Sequence, residues 1–217
     1  PFCYNAAKKS DLKLIFGMEG YLISDREDIK EGIDQESVDT KKKATRNKIK
    51  SNHIIILAQN EVGMRNLYKL VTISHLRYLN GRPLLPREVI MEHRDGLILG
   101  SACEAGELYR AMMAGASEEV LEEIASFYDY LEIQPTGNNM FLVHKEVCTV
   151  KQIEEYNRRI YELGKRLGKL TVATGDVHFL NPEDAVYREI LQAPWHKPGE
   201  VEPNKPGLIA ARLPCQG

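Results

Sequence analysis

The stretch HIIILAQNEVGMRNLYKLVTISHL, residues 53–76, opens with a short run of branched apolar residues and continues as a longer segment of helical period. A strand followed by a helix is the simplest reading. The same alternation recurs along the chain. Short apolar runs stand at KLIFGM (13–18), GLILGS (96–101), DYLEIQ (129–134) and LTVAT (170–174). Helical segments lie between them. VKQIEEYNRRIYELGKRLG spaces Ile153, Tyr156, Ile160, Leu163 and Leu167 by threes and fours, and its opposite face carries Glu154, Arg158 and Lys165. SEEVLEEIASFY starts with Ser117 as N-cap, with Val120, Leu121 and Ile124 as the expected buried stripe. In NPED, Asn181 caps, Pro182 takes the first helical position and acids fill the first turn, so a further helix runs toward Leu191. This alternation predicts an α/β fold with a parallel sheet.

Composition narrows the class. The chain has 217 residues, 43% hydrophobic and 28% charged, enough for one sizeable core and a single domain by default. No apolar run reaches bilayer-spanning length, and PFCYNAAKKSD lacks the basic and apolar regions of an export signal. A soluble protein is expected, with no membrane partner. Cys3, Cys103, Cys148 and Cys215 are scattered without CxxC spacing, which suggests neither a disulfide framework nor a zinc ribbon and fits the reducing cytoplasm. A net charge of -2 gives no global pull toward nucleic acid. Walker, GxSxG and dinucleotide-binding glycine motifs are absent, and there is no internal repeat.

Two regions break the alternation. Residues 20–52 are polar and charge-segregated, acids first and then six Lys or Arg from Lys41 to Lys50, and they read as a surface excursion or insertion point. The tail from 192 to 217 holds five of the ten prolines, at 194, 198, 203, 206 and 214, and reads as irregular.

In a parallel α/β sheet or barrel, ligands bind beyond the carboxyl ends of the strands. The polar residues there are Glu19 in GMEG, Cys103 in GSACEAGE, Glu132 and Gln134 in LEIQ, and Asp176 and His178 in GDVH. Carboxylate, thiol and imidazole together suit a divalent transition metal. Residues i and i+2 of an extended segment point the same way, roughly 6 to 7 Å apart, so Asp176 and His178 can share one ion or serve two. Such ions suit phosphate-ester hydrolysis, one activating water and others neutralising phosphoryl oxygens. Blander readings stand beside these: D-x-H as a polar loop, Glu19 as a turn residue, Cys103 as a small buried hydrophobe. His53 precedes its apolar run and so falls at the opposite rim by strand geometry, which leaves it out. His75, late in its helix, reads as a satisfied packing or C-terminal histidine, and His93, His144 and His196 show no partner in the sequence. Lys41–Lys50 is either a solvated loop or a contact to phosphate backbone.

Four blocks carry a family resemblance: HIIILAQNEVGMRNLYKLVTISHLRYL, EHRDGLILGSACEAGELYRAMM, FYDYLEIQP and VATGDVHFLNPEDAVYREIL. In this order and at these separations they resemble the PHP (polymerase and histidinol phosphatase) domain of bacterial DNA polymerase III α subunits, most nearly the PolC type of low-GC Gram-positive bacteria. The resemblance covers residues 4–24 and 41–191. It implies a distorted (β/α)7 barrel whose strand ends gather up to three divalent ions, Zn, Mn or Fe. Carried over by position, the metal ligands fall on Glu19, His53, Cys103, Asp176 and His178, with Glu132 and Gln134 behind them. His53 thus enters on the family pattern, against the strand-rim argument.

The resemblance also implies what to expect around these residues. The family's HxH strand, a further acidic residue and a TDH segment precede the NAAKK helix, so the first β/α units are expected to be missing and residues 1–191 to form an incomplete PHP domain. PolC-type chains insert a proofreading exonuclease where the 20–52 excursion stands, and here only that charged excursion occupies the place. The tail from 192 resembles nothing in the family. The implied function is that of a metal-binding structural module in a replicative DNA polymerase, partnered by the polymerase core and, through the parent, by DNA. The alternatives are a metal-dependent phosphoesterase acting on a DNA 3' end or a small phosphate monoester, and a metal-free interaction module.

Overall fold

The computed structural model describes residues 2–23 and 49–192. Most of the charged excursion, including Lys41 to Lys48, and the tail after 192 lie outside the described residues. Backbone proximity divides the chain into residues 1–110 with 123–129, and residues 111–122 with 130–217.

The first unit holds α1 (Phe2–Ala7), β1 (Gly17–Ile23), β2 (Asn52–Ala58), α2 (Glu61–Leu76), β3 (Leu79–Asn80), β4 (Arg82–Pro86), α3 (Arg87–Glu92), β5 (Leu97–Gly100) and the start of α4 (Glu107–Met113). Its strands lie in the order β3-β4-β1-β2-β5. β1 and β4 are parallel, but β2 runs antiparallel to both β1 and β5. The α/β class holds, and the expected all-parallel sheet is corrected to a mixed one. A parallel pair needs a crossover between its strands, and an antiparallel pair does not.

The first strand is also displaced from the expected run. KLIFGM was expected to be the strand, yet Ile15 and Phe16 are 59% and 43% exposed and pairing starts only at Gly17. β2 ends at Ala58, whose N–H donates to the Phe16 carbonyl at 2.8 Å, so no further partner backbone remains for residues 13–15. From Gly17 onward the strand alternates. Gly20 and Leu22 face the core with Ile54 and Ile56, whereas Glu19 and Tyr21 turn to the other side with His53 and Ile55.

α2 packs on β2, β4 and β5, burying Leu67 and Leu70, and the Asn60 side chain caps it by accepting from the Gly63 N–H at 3.0 Å. Its first turn meets Gly96 so closely that a Cβ on Gly63 would stand 1.7 Å from the Gly96 carbonyl oxygen. Gly96 itself has φ +69, a left-handed conformation that favours glycine. β4 was not anticipated from the sequence. Its RPLLP carries two prolines, which argue against a strand unless neighbouring strands supply the pairing, as β1 does here.

The second unit contains the first turn of α5 (Glu118–Ser126), β6 (Tyr130–Ile133), α6 (Met140–His144), α7 (Val150–Arg166), β7 (Leu170–Ala173) and α8 (Ala185–Gln192). β6 and β7 are parallel, joined through α7 as a parallel pair requires. α7 is the most legible helix. Thr149 and Gln152 form a capping box, and Ile153, Ile160 and Leu163 are buried on the predicted face. Arg159 and Arg166 of its polar face pair with Glu118 at 2.5 and 2.7 Å. In α5 the buried residues are Leu121 and Ala125, and Val120 is exposed, so the expected stripe is rotated by one position. Asn181 and Asp184 cap each other around Pro182 ahead of α8, as predicted. Among the described residues, no helix is long and apolar enough to cross a membrane.

Candidate metal centre

Three of the expected ligands meet in the first unit. Glu19 is the third residue of β1 rather than a residue beyond its end, which corrects its expected rim position. It stands opposite Ile55, while His53 stands opposite Tyr21, so Glu19 and His53 are diagonal neighbours on one sheet face. Long side chains reach across such a diagonal. The His53 Nδ1 lies 2.8 Å from Glu19 Oε1.

The antiparallel run of β2 explains why His53 belongs here. With Leu22 opposite Asn52, the amino end of β2 lies beside the carboxyl end of β1. A residue at the start of β2, as His53 is, is then at the same rim as residues late in β1. The argument that set His53 at the far rim assumed parallel strands, and that assumption fails.

Cys103 reaches the same imidazole by a loop. Beyond β5 the chain turns at Ala102, which has φ 60, and returns so that the His53 N–H donates to the Ala105 carbonyl at 2.9 Å. The Cys103 Sγ lies 3.5 Å from His53 Nδ1. Gly106 makes the return possible, because a Cβ there would stand 2.2 Å from the Ser101 carbonyl oxygen. Burial pushes the Cys103 thiol up to about 12, with the negative charges of Glu104 and Glu19 adding to the shift. The Glu19 carboxylate and the Cys103 thiol both face the Nδ1 edge of the His53 ring.

Tyr21 completes this face. Its ring packs edge-on against the His53 imidazole, 5.4 Å between centroids, and the Arg82 guanidinium lies 4.6 Å over the same ring. Neither residue carries a motif that composition or spacing singles out; only strand register reveals them. On the far side of Asn52, Arg110 donates to the Ser51 carbonyl and to Asn52 Oδ1, tying α4 to the amino end of β2.

The second unit holds the other expected residues. β7 stops at Ala173, and Asp176 has φ 44, so GDVH is not the extended segment that the i, i+2 argument assumed. The pair still meets by local folding: His178 Nδ1 lies 2.6 Å from the Asp176 carbonyl oxygen and 3.9 Å from its Oδ1. Both side chains are exposed. Glu132 and Gln134, at the carboxyl end of β6, are buried. Gln134 donates to Glu132 Oε1 at 3.2 Å, Thr174 donates to the same oxygen at 2.6 Å, and Asn157 donates to the Gln134 carbonyl at 2.7 Å.

Carboxylate oxygen, imidazole nitrogen and sulfur gathered at Glu19, His53 and Cys103 match a divalent transition ion in donor type. They are arranged as successive contacts, and among the described residues no three His, Cys, Asp or Glu side chains are grouped to hold an ion.

The family model of the PHP domain matches residues 1–136, a span that includes Glu19, His53 and Cys103 and stops before Asp176. DNA polymerase III PolC-type of Clostridium perfringens is 55% identical over 147 residues, 67% of this chain. The proteins of the same name from Thermotoga maritima and Bacillus subtilis are 46% identical over 146 residues and 47% identical over 140 residues, 67% and 64% of this chain. In each case the chain spans 10% of the relative's length.

Proposed function

This chain belongs to the PHP domain family, and from that premise we propose that it is a segment of a PolC-type DNA polymerase III, the enzyme of DNA synthesis in chromosome replication. The observation that carries this reading is the 55% identity to the PolC-type polymerase of Clostridium perfringens over 67% of the chain. Residues 1–191 form the PHP region in this reading, the excursion at 20–52 stands at the place of an exonuclease insertion, and residues 192–217 are a tail apart from it. The region braces the polymerase core, its partner in the parent chain. DNA is reached through the parent and through the basic run Lys41–Lys50, and the setting is cytoplasmic.

The proposed metal ligands are Glu19, His53 and Cys103 of the first unit and Asp176 and His178 of the second, with Glu132 and Gln134 orienting the backbone behind the latter pair. The donor types support this set. Glu19 holds the imidazole of His53 in one orientation, and Cys103 is held against it by the return loop at Gly106. A divalent ion held there, Zn, Mn or Fe, would supply Lewis acidity and activate water. A second reading, hydrolysis of a phosphate ester such as a DNA 3' end or a small phosphate monoester, is supported by the solvent exposure of Glu19 and the partial exposure of His53.

Two measurements test these readings. Sequencing the gene on both sides of this segment is expected to reveal the HxH segment upstream and a polymerase palm downstream; an open reading frame without a palm sinks the polymerase reading. Elemental analysis of the purified chain is expected to find a transition metal that is lost in a Glu19→Gln, His53→Ala double variant. Equal metal in both proteins rejects that ligand set.

A further inference from the structure

We infer that the outward apolar stripe of α8, formed by Val186, Tyr187, Ile190 and Leu191, is the surface by which this region docks on the polymerase core of its parent chain. The occupant is an apolar groove of that core that takes one helix. This names the contact face for the bracing role above and rests on that reading.

The helices of the second unit set the contrast. α7 buries Ile153, Ile160 and Leu163 and turns Glu155 and Arg158 outward. α8 is arranged the other way. Among its described side chains Ala185 is the buried one, whereas Val186, Tyr187, Ile190 and Leu191 are 51%, 66%, 61% and 74% exposed. Positions 186 and 190, and 187 and 191, are each four apart, so the four residues form one stripe along the helix. The cap ahead of the helix adds to this surface. A residue before an N-cap ordinarily packs on the fourth helical residue, which here is Ala185, and a methyl group is too small to cover Leu180. Leu180 stays 89% exposed.

Chemistry and size decide the occupant. Glu183 and Asp184 stand at the start of this helix, which sets the surface against a phosphate backbone or an anionic membrane, since both recruit Lys and Arg. An apolar protein surface fits instead. A separate second copy of the chain fits poorly. α8 has 8 residues and so is about 12 Å long. Four side chains on that length fall short of the roughly 800 Å² per partner that a stable complex of free proteins buries. A partner in the same chain needs less area, because the covalent link holds it at an effective concentration on the order of millimolar. The relatives are long enough to contain such a partner. This chain spans 10% of the PolC-type polymerase of Clostridium perfringens, so most of that protein lies outside the shared span.

The experiment compares this chain with the full polymerase encoded by the gene around it, through hydrogen exchange of the α8 amides. Exchange is expected to be about tenfold or more slower in the polymerase than in this chain. A Tyr187→Glu, Ile190→Glu double variant is expected to abolish that difference. In this chain alone the same variant should leave the melting temperature unchanged, since both residues are exposed. Tyr161→Glu, at an exposed position of α7, is expected to leave the protection of α8 intact. Equal exchange in chain and polymerase, or protection that survives the double variant, overturns the docking face and leaves the polymerase reading standing. Loss of protection in Tyr161→Glu has the same meaning. If this chain sediments as a dimer that the double variant dissolves, the occupant is a second copy and the assignment is wrong. A gene without a polymerase palm overturns the polymerase reading and this inference together.

Discussion

Glu19, His53 and Cys103 in one unit and Asp176 with His178 in the other are assembled by different physics. The first group spans 84 positions of sequence and is joined by a ladder of strand pairs and a returning loop. The second spans two positions and is joined by one residue in a left-handed conformation. A site made by register is as secure as the sheet that sets the register. A site made by a loop depends on a few local dihedrals and can be altered at little cost to the fold.

That contrast can be broken most severely within β2. Ile56 is fully buried and stands opposite Met18, so Ile56→Ala is expected to cost about 3 kcal/mol in denaturant unfolding. If the loss is below about 1 kcal/mol, β2 does not carry the first unit's core. Next is Gly106→Ala, whose new methyl group collides with the Ser101 carbonyl oxygen. About 2 kcal/mol of destabilisation is expected from the forced backbone shift. Faster alkylation of Cys103 should accompany it as the loop leaves His53, and unchanged alkylation would show that Gly106 does not hold the loop.

In the second unit the effects are smaller. Thr149→Ala removes both hydroxyl contacts of the α7 capping box and is expected to cost about 1 kcal/mol. A pH effect comes from Glu118, whose carboxyl is held below its usual range by hydrogen bonds from Arg159 and then Arg166. A carboxyl with a depressed folded-state pKa stabilises the fold above its ordinary value, 4.5, and that contribution disappears as pH falls below it through the folded pKa. Glu118 is half exposed, so solvent screening keeps the contribution to a fraction of a kcal/mol. Glu118→Gln should lower the melting temperature slightly at pH 7 and leave it unchanged at pH 2. Smallest is Asp176→Gly, where relief of the left-handed strain and the added freedom of the unfolded chain oppose each other. Stability is expected to move by less than about 0.5 kcal/mol. A larger loss would show that GDVH is braced by more than its own turn.

Much of the fold was legible because its signals are local. The α7 stripe of Ile153, Ile160 and Leu163, the cap at Asn181 and the apolar run of β2 each show within a few residues. β4 was hidden by its prolines, and the start of β1 by an apolar run that precedes the strand. Within the site, Glu19 and Cys103 drew notice as polar groups near apolar runs, and the four-block resemblance added His53. Tyr21 and Arg82 drew none, since a tyrosine and an arginine are ordinary residues until their neighbours are known.

By itself, the sequence determined the α/β class, the family and the chemical identity of the donors, because periodicity, motif order and side-chain type are properties of the chain read in one dimension. The tertiary structure decided the direction of β2, and through it which donors meet. Strand direction depends on pairing between residues far apart in the chain, and residue spacing does not encode it. Reversing one strand carries His53 from one rim to the other, where Cys103 reaches it by its loop, Glu19 reaches it diagonally from within β1, and Tyr21 packs against its ring.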